Sequence, residues 1–223
     1  MAHPYHHALS SSRLQGGDWI SHYPIHAFLD SSKAHLADAR HRSLFHNPTG
    51  LALCEKIPLT IPKEKKRSIA EQHIQEDIGK IPLLQEWIAK EPPFKANWDR
   101  ILGMPKKEIT RITVDNRATS PQNHDDLAQI LEILLMPESQ EEVINHPSRA
   151  IYLTSPGPFL CEFLIGPVAP CGIPTRTLAE GIIKSIFGKI PSCQDFLKKS
   201  KIKTWMYKKA SPLSKTLYSE SVL

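Results

Sequence analysis

The sequence predicts a mainly α-helical protein of two tandem, related small modules, the second a degenerate copy of the first. Three observations lead there. Apolar residues recur at helical spacing between clusters of Pro, Gly and Asn. A set of residues in the first half reappears in the second at a constant offset. No apolar run approaches the roughly 18 residues needed to cross a bilayer.

The repeat is clearest between Ser68-Ile69-Ala70-Glu71, Gly79-Lys80-Ile81-Pro82 and Gln85-Glu86-Trp87 on one side and Thr177-Leu178-Ala179-Glu180, Gly188-Lys189-Ile190-Pro191 and Gln194-Asp195-Phe196 on the other. All pair without a gap. Upstream, Arg42, Leu44, Phe45, Gly50, Leu53, Cys54 and Glu55 pair with Arg149, Ile151, Tyr152, Gly157, Leu160, Cys161 and Glu162. The offset shifts by two between the blocks, which puts a short insertion near 165–174, and Trp98 finds a counterpart in Trp205. These matches give a first module over 1–104, a linker over 105–121, a degenerate second copy over 122–208 and a disordered polar tail over 209–223.

In chain order, residues 24–45 read as one long helix or two helices broken at Ser31-Ser32. Asn47-Pro48-Thr49-Gly50 is a turn that opens a helix to about Ile57. Residues 58–67 read as a loop. Ser68 with Glu71 forms a capping box for a helix that Gly79 ends, and Pro82 opens the helix carrying Trp87. In the second module, 125–136, 157–164 and 177–187 are helical.

The 223 residues carry a net charge of +5, with basic runs at Lys63, Lys65, Lys66 and Arg67 and at Lys198–Lys209. Such runs read first as solvated surface, and nucleic acid is the less favoured partner. Cys54, Cys161, Cys171 and Cys193 form no CxxC pair, so reduced, mostly buried thiols are expected. The opening residues have neither a secretory pattern nor a lipidation signal, and a cytoplasmic protein that does not engage a membrane is expected.

Nine of the eleven histidines lie at or before residue 73. His26 and Asp30 are four apart, as are His73 and Asp77, a spacing that puts each pair on one helix face. On an ideal helix from Pro24, His26, Asp30, Lys33 and His41 share a sector. Imidazoles and carboxylates on facing helices are how helical proteins hold zinc, manganese or iron. Three readings follow. One is a divalent-metal site drawn from His26, Asp30, His41, His46, Glu71, His73 and Asp77, with His26, Asp30, His41, His73 and Asp77 as the core set and hydrolysis as the implied chemistry. A second is acid-base catalysis by His73 and Asp77 on an anionic ligand held by Lys33, Arg40 and Arg42. The third is structural, with buried His-Asp bonds tying helices together in a non-enzymatic binding or adaptor protein. The second module has Asn145, Ser148, Leu153, Ile182 and Ile186 where the first has Asp38, His41, His46, His73 and Asp77, which favours a functional role. Glu71 and Glu180 then read as helix caps. The HPYHH start reads either as a flexible end or as a lid folding His3, His6 and His7 over the cluster.

HPYHHALSS, HAFLDSSKAHLADARHRSL and AEQHIQEDIGKIPLLQEW together resemble a family of small bacterial and phage proteins known only as a domain of unknown function, over about residues 1–98. RAIYLTSPGPFLCEFLIGP, GIPTRTLAEG and Trp205-Met206 are similar to the same family with its polar residues stripped. The resemblance supplies kinship without mechanism. It implies that His26, Asp30, Lys33, Asp38, Arg40, His41, Arg42, Glu71, His73, Glu76 and Asp77 belong to one recurring motif. The second copy points to an adaptor or regulatory use, in a phage- or mobile-element-associated setting with a protein partner.

Overall fold

The computed structural model describes residues 3–36, 38–88, 104, 107–109, 124–136 and 147–197. Among these the protein is mainly α-helical, with no strand and a lone antiparallel bridge between Val168 and Pro174. Two compact units fall within Met1–Trp87 and Ile88–Ser200. Most of the expected linker, the 209–223 tail, Trp98, Trp205 and the second basic run lie outside the described residues.

Unit one begins with α1 (Pro4–Gln15) and α2 (Trp19–Ser31), joined by Gly16 and Gly17, both at positive φ. Asp18 caps α2, its carboxylate accepting from the Ile20 amide at 3.2 Å. The helix therefore starts five residues before the expected Pro24, which sits inside it. It also ends early. Ser32–Ala34 tightens into a 3-10 turn, and a second turn, Ala39–His41, is capped by Asp38. His41 thus leaves the α2 face on which a continuous helix would place it. Next come α3 (Arg42–Phe45) and α4 (Pro48–Lys56). Asn47 caps α4, accepting from the Gly50 amide at 3.1 Å while its Nδ2 donates to the Ser43 carbonyl at 2.8 Å. Gly50 is obligatory by space, since a Cβ there would lie 1.8 Å from the Phe45 carbonyl oxygen.

The helix α5 (Lys63–Ile78) starts behind Pro62 and not at Ser68. The charge run expected to be a loop is its first turn, with Glu64 near the positive end of the dipole. Glu71 accordingly caps nothing. It pairs with Arg67 at 2.9 Å along the helix surface, as Glu180 pairs with Lys184 at 3.2 Å. Gly79, left-handed at φ 79°, closes α5, and the short α6 (Leu84–Trp87) follows. Ile25, Leu29, Leu44, Phe45, Leu51, Leu53, Ile69 and Ile74 form the core between these helices. Phe28 stacks on Phe45 at 4.7 Å, and the Trp87 indole donates to the His46 carbonyl at 3.2 Å. Each such aliphatic side chain contributes about 1.5–3 kcal/mol by leaving water.

Unit two contains α7 (His124–Leu134), the 3-10 segment Pro147–Leu153, α8 (Pro156–Ile165), α9 (Thr175–Phe187) and α10 (Cys193–Leu197). The core is aliphatic: Leu127, Ile130, Leu131 and Leu134 of α7 and Leu178, Ile182, Ile183 and Ile186 of α9 are buried. Gly157 repeats the Gly50 arrangement, with a Cβ position 1.8 Å from the Tyr152 carbonyl oxygen. Gly188 at φ 75° ends α9 as Gly79 ends α5. Cys54, Cys161, Cys171 and Cys193 are free thiols, and only Cys171 is not buried.

Candidate metal centre

Helical spacing and the α1–α2 hairpin assemble a polar core in unit one. α1 supplies His7, Ser10 and Ser11, and α2 supplies His22, His26 and Asp30. Arg42 and His46 come from α3 and its end, and α5 supplies His73, Glu76 and Asp77. His7, His26, His46 and His73 are fully shut off from solvent, and Asp30 and Asp77 nearly so.

Asp77 is the hub. Arg42 donates to its Oδ2 at 2.8 Å, His46 Nε2 lies 3.4 Å from the same oxygen, and His7 Nε2 lies 3.4 Å from Oδ1. Burial alone would raise the Asp77 pKa, yet His46 and His7 together hold it far below the usual carboxylate range. His7 also donates from Nδ1 to Glu76 Oε2 at 2.6 Å. Burial works against the His7 charge, but Asp77 and Glu76 outweigh it and raise its pKa to about 9. Glu76 is held further by Ser10 and Gln72, at 2.6 and 2.8 Å.

Burial favours the uncharged form of the remaining imidazoles. Burial, with the neighbouring His7 charge next, keeps His26 and His73 well below the ordinary histidine value. Burial lowers His46 as well. His41, lowered to about 3 chiefly by burial, turns its Nδ1 to the Asp38 carbonyl at 2.6 Å. His73 Nδ1 meets His26 Nδ1 at 3.0 Å, while His73 Nε2 lies 3.2 Å from His46 Nε2 and 3.9 Å from Asp30 Oδ1. Asp30 Oδ1 and His46 Nδ1 are buried without a hydrogen-bond partner.

One donor atom each from Asp30, His46, His73 and Asp77 therefore lies within 4.8 Å of every other, and the four could hold a metal ion. Ligands of a tetrahedral ion with bonds near 2 Å stand about 3.3 Å apart, and the pairs at 3.2, 3.4 and 3.9 Å bracket that spacing.

Of the residues expected from sequence to bind metal, Asp30, His73 and Asp77 come together in this group. His26 stands behind His73, and His41 turns to the Asp38 backbone. Glu71 lies on the surface with Arg67. The proposed anion-binding set is engaged with three different carboxylates: Lys33 with Asp30 at 2.6 Å, Arg40 with Asp38 at 2.6 Å and Arg42 with Asp77. His46 belonged only to the wider metal set. Ser10, Ser11 and His22 are the residues sequence reasoning passed over; His7, read there only as part of a possible lid, does enter the cluster, and its i, i+3, i+4 spacing with Ser10 and Ser11 marks one helix face. His3, by contrast, caps α1 from an exposed position. The first basic run is also engaged: Lys63 and Arg67 with Glu55, Lys65 with the Gly16 carbonyl, and buried Lys66 with the Ile57 carbonyl at 2.7 Å.

The fold and this centre define a small helical module built around a buried histidine-carboxylate core. Residues 2–96 match the family model described as Domain of unknown function (DUF6915), which bears out the resemblance read from the motifs over about residues 1–98. No curated protein and no solved structure matches the chain.

Proposed function

We propose that unit one is a divalent-metal-binding module in which Asp30, His46, His73 and Asp77 hold a zinc, manganese or iron ion. The observation that carries this is the convergence of four buried donor atoms from α2, the end of α3 and α5 at ligand-to-ligand spacing. Two imidazoles and two carboxylates suit any of the three metals. Arg42 and His7 steady Asp77, and Lys33 steadies Asp30. Bound there, an ion would supply Lewis acidity for hydrolysis, the narrower part of the reading. Burial of all four donors favours holding the ion over presenting it to a substrate. We read the second unit as a degenerate copy that keeps the scaffold without the site.

A second reading is favoured by one observation: each carboxylate already has a cationic partner. The cluster is then a neutral buried network in a non-enzymatic binding or adaptor protein. Titration of chelator-treated, tag-free full-length protein with cobalt(II) separates the two. An intense visible band saturating at one equivalent, and displaced by zinc, is expected. Absence of both a band and binding heat would leave the structural network.

A further inference from the structure

The contacts behind His73 run in a line. Ser11 Oγ lies 3.1 Å from the Ala8 carbonyl oxygen, 2.9 Å from His22 Nδ1 and 2.9 Å from His26 Nε2, and all three side chains are buried. A hydroxyl donates one hydrogen bond and accepts two. Only one assignment makes all three contacts hydrogen bonds. The carbonyl cannot donate, so it takes the hydroxyl hydrogen, and both imidazole nitrogens must donate to Ser11. Reversing either imidazole bond leaves Ser11 facing the Ala8 carbonyl with no hydrogen between two oxygens.

That assignment propagates. A neutral His26 with its proton on Nε2 has a bare Nδ1. The nitrogen facing it at 3.0 Å, His73 Nδ1, must then carry a hydrogen to make a bond. A neutral His73 protonated at Nδ1 has a bare Nε2, directed to His46, Asp30 and Asp77. Both rings are fully buried and, among the described residues, neither has a carboxylate within hydrogen-bond distance, so a second proton on either would bury a charge without a bonded counter-ion.

We infer that Ser11 and His26 are positioning residues that lock His73 in the Nδ1–H tautomer, with the lone pair of Nε2 directed into the Asp30–His46–Asp77 group. The tautomer stands on the hydrogen-bond geometry and the burial of both rings; its use as a ligand rests on the metal reading above. An outer partner of this kind fixes ring orientation and raises ligand basicity. His46 differs, because its Nε2 faces the bare His73 Nε2 at 3.2 Å and Asp77 Oδ2 at 3.4 Å and so carries the hydrogen in the metal-free network, a proton it must move or lose to become a ligand. His73 is the preset donor and His46 the one that must adapt.

The test is long-range 1H–15N correlation spectroscopy of histidine rings in chelator-treated full-length protein, with His73 assigned through His73→Gln. The expected spectrum shows His73 with Nδ1 protonated and Nε2 bare, the opposite of the tautomer free histidine prefers. Ser11→Ala should redistribute His73 towards Nε2–H and weaken cobalt(II) binding about tenfold or more. Ser11→Thr, which keeps the hydroxyl, should restore both. His73 protonated at Nε2 in the parent would overturn the inference without need of any variant. So would a tautomer unmoved by Ser11→Ala. An Nδ1–H tautomer in a protein that takes up no cobalt would uphold the lock and remove the metal reading.

Discussion

Where unit one buries His46, His73 and Asp77, unit two buries Leu153, Ile182 and Ile186. The contrast extends into the preceding helix. The buried positions His22, Ile25, His26, Phe28, Leu29 and Asp30 of α2 recur, in the same order and spacing, as Leu127, Ile130, Leu131, Ile133, Leu134 and Leu135 in and just after α7. Read in that register, His22, His26 and Asp30 give way to three leucines. Local geometry nevertheless recurs, with Gly50 and Gly157 pressed on a preceding carbonyl and Gly79 and Gly188 in left-handed caps. A frame that packs with six aliphatic residues has no need of six polar ones. Apolar replacement of a buried ionic network is often neutral or stabilising by about 1–4 kcal/mol. Persistence of the network in unit one is thus better explained by use than by stability.

The arginine pair sharpens the point. Arg42 and Arg149 are both buried at matched positions. Arg42 answers Asp77, whereas Arg149 donates to the Met104 carbonyl, and burial lowers its pKa to about 10.

The largest expected effect that breaks the symmetry is Asp77→Ala. It leaves Arg42 and His7 buried beside an uncompensated gap and should cost about 3–5 kcal/mol. Urea unfolding followed by amide exchange should localise the loss to unit one. Gly50→Ala and Gly157→Ala test the shared frame. Each forces backbone to move and should destabilise its own unit by about 3 kcal/mol or more, and to a similar extent. A large cost in one unit and none in the other would break the correspondence.

pH separates the units next. His26, His73 and His41 have folded pKa values below the unfolded value, so the unfolded state takes up protons first and stability falls as pH drops below about 6.5. For His41 the fall continues to about pH 3. His7 has the opposite sign. Its contribution is complete below about 6.5 and disappears as pH rises through about 9. Metal-free unit one should show both limbs in pH-dependent amide exchange, whereas no histidine is among the described buried residues of unit two. The smallest effects belong to the helix-surface pairs. Glu71→Ala and Glu180→Ala should each change stability by less than about 0.5 kcal/mol in thermal melts. A larger loss would restore the capping role first read for them.

Much of the frame was legible because its signals are local. Asn47, Gly50, Gly79 and the periodic apolar residues declare helix ends and faces within a few positions. The failures have a common cause. Ser68-x-x-Glu71 is a capping box in isolation, but Pro62 and the Glu55 partners of Lys63 and Arg67 carry the helix upstream. Likewise Asp38 and the 3-10 turns redirect His41, so an ideal-helix projection from Pro24 misplaces it. Asp30, His73 and Asp77 could be singled out because i, i+4 pairing is visible along one helix. His7, Ser11 and His46 enter from other elements, and only tertiary packing shows which faces meet.

The central claim is that unit one holds a metal with side chains where the matching positions of unit two are aliphatic. Elemental analysis of tag-free full-length protein, exposed in turn to zinc, manganese and iron, tests it beside the variant H46L/H73I, which carries unit two's residues. The account predicts near one equivalent in the parent and none in a variant whose helical circular dichroism is intact. A parent that retains no metal would contradict it, and so would a folded variant that binds as much as the parent.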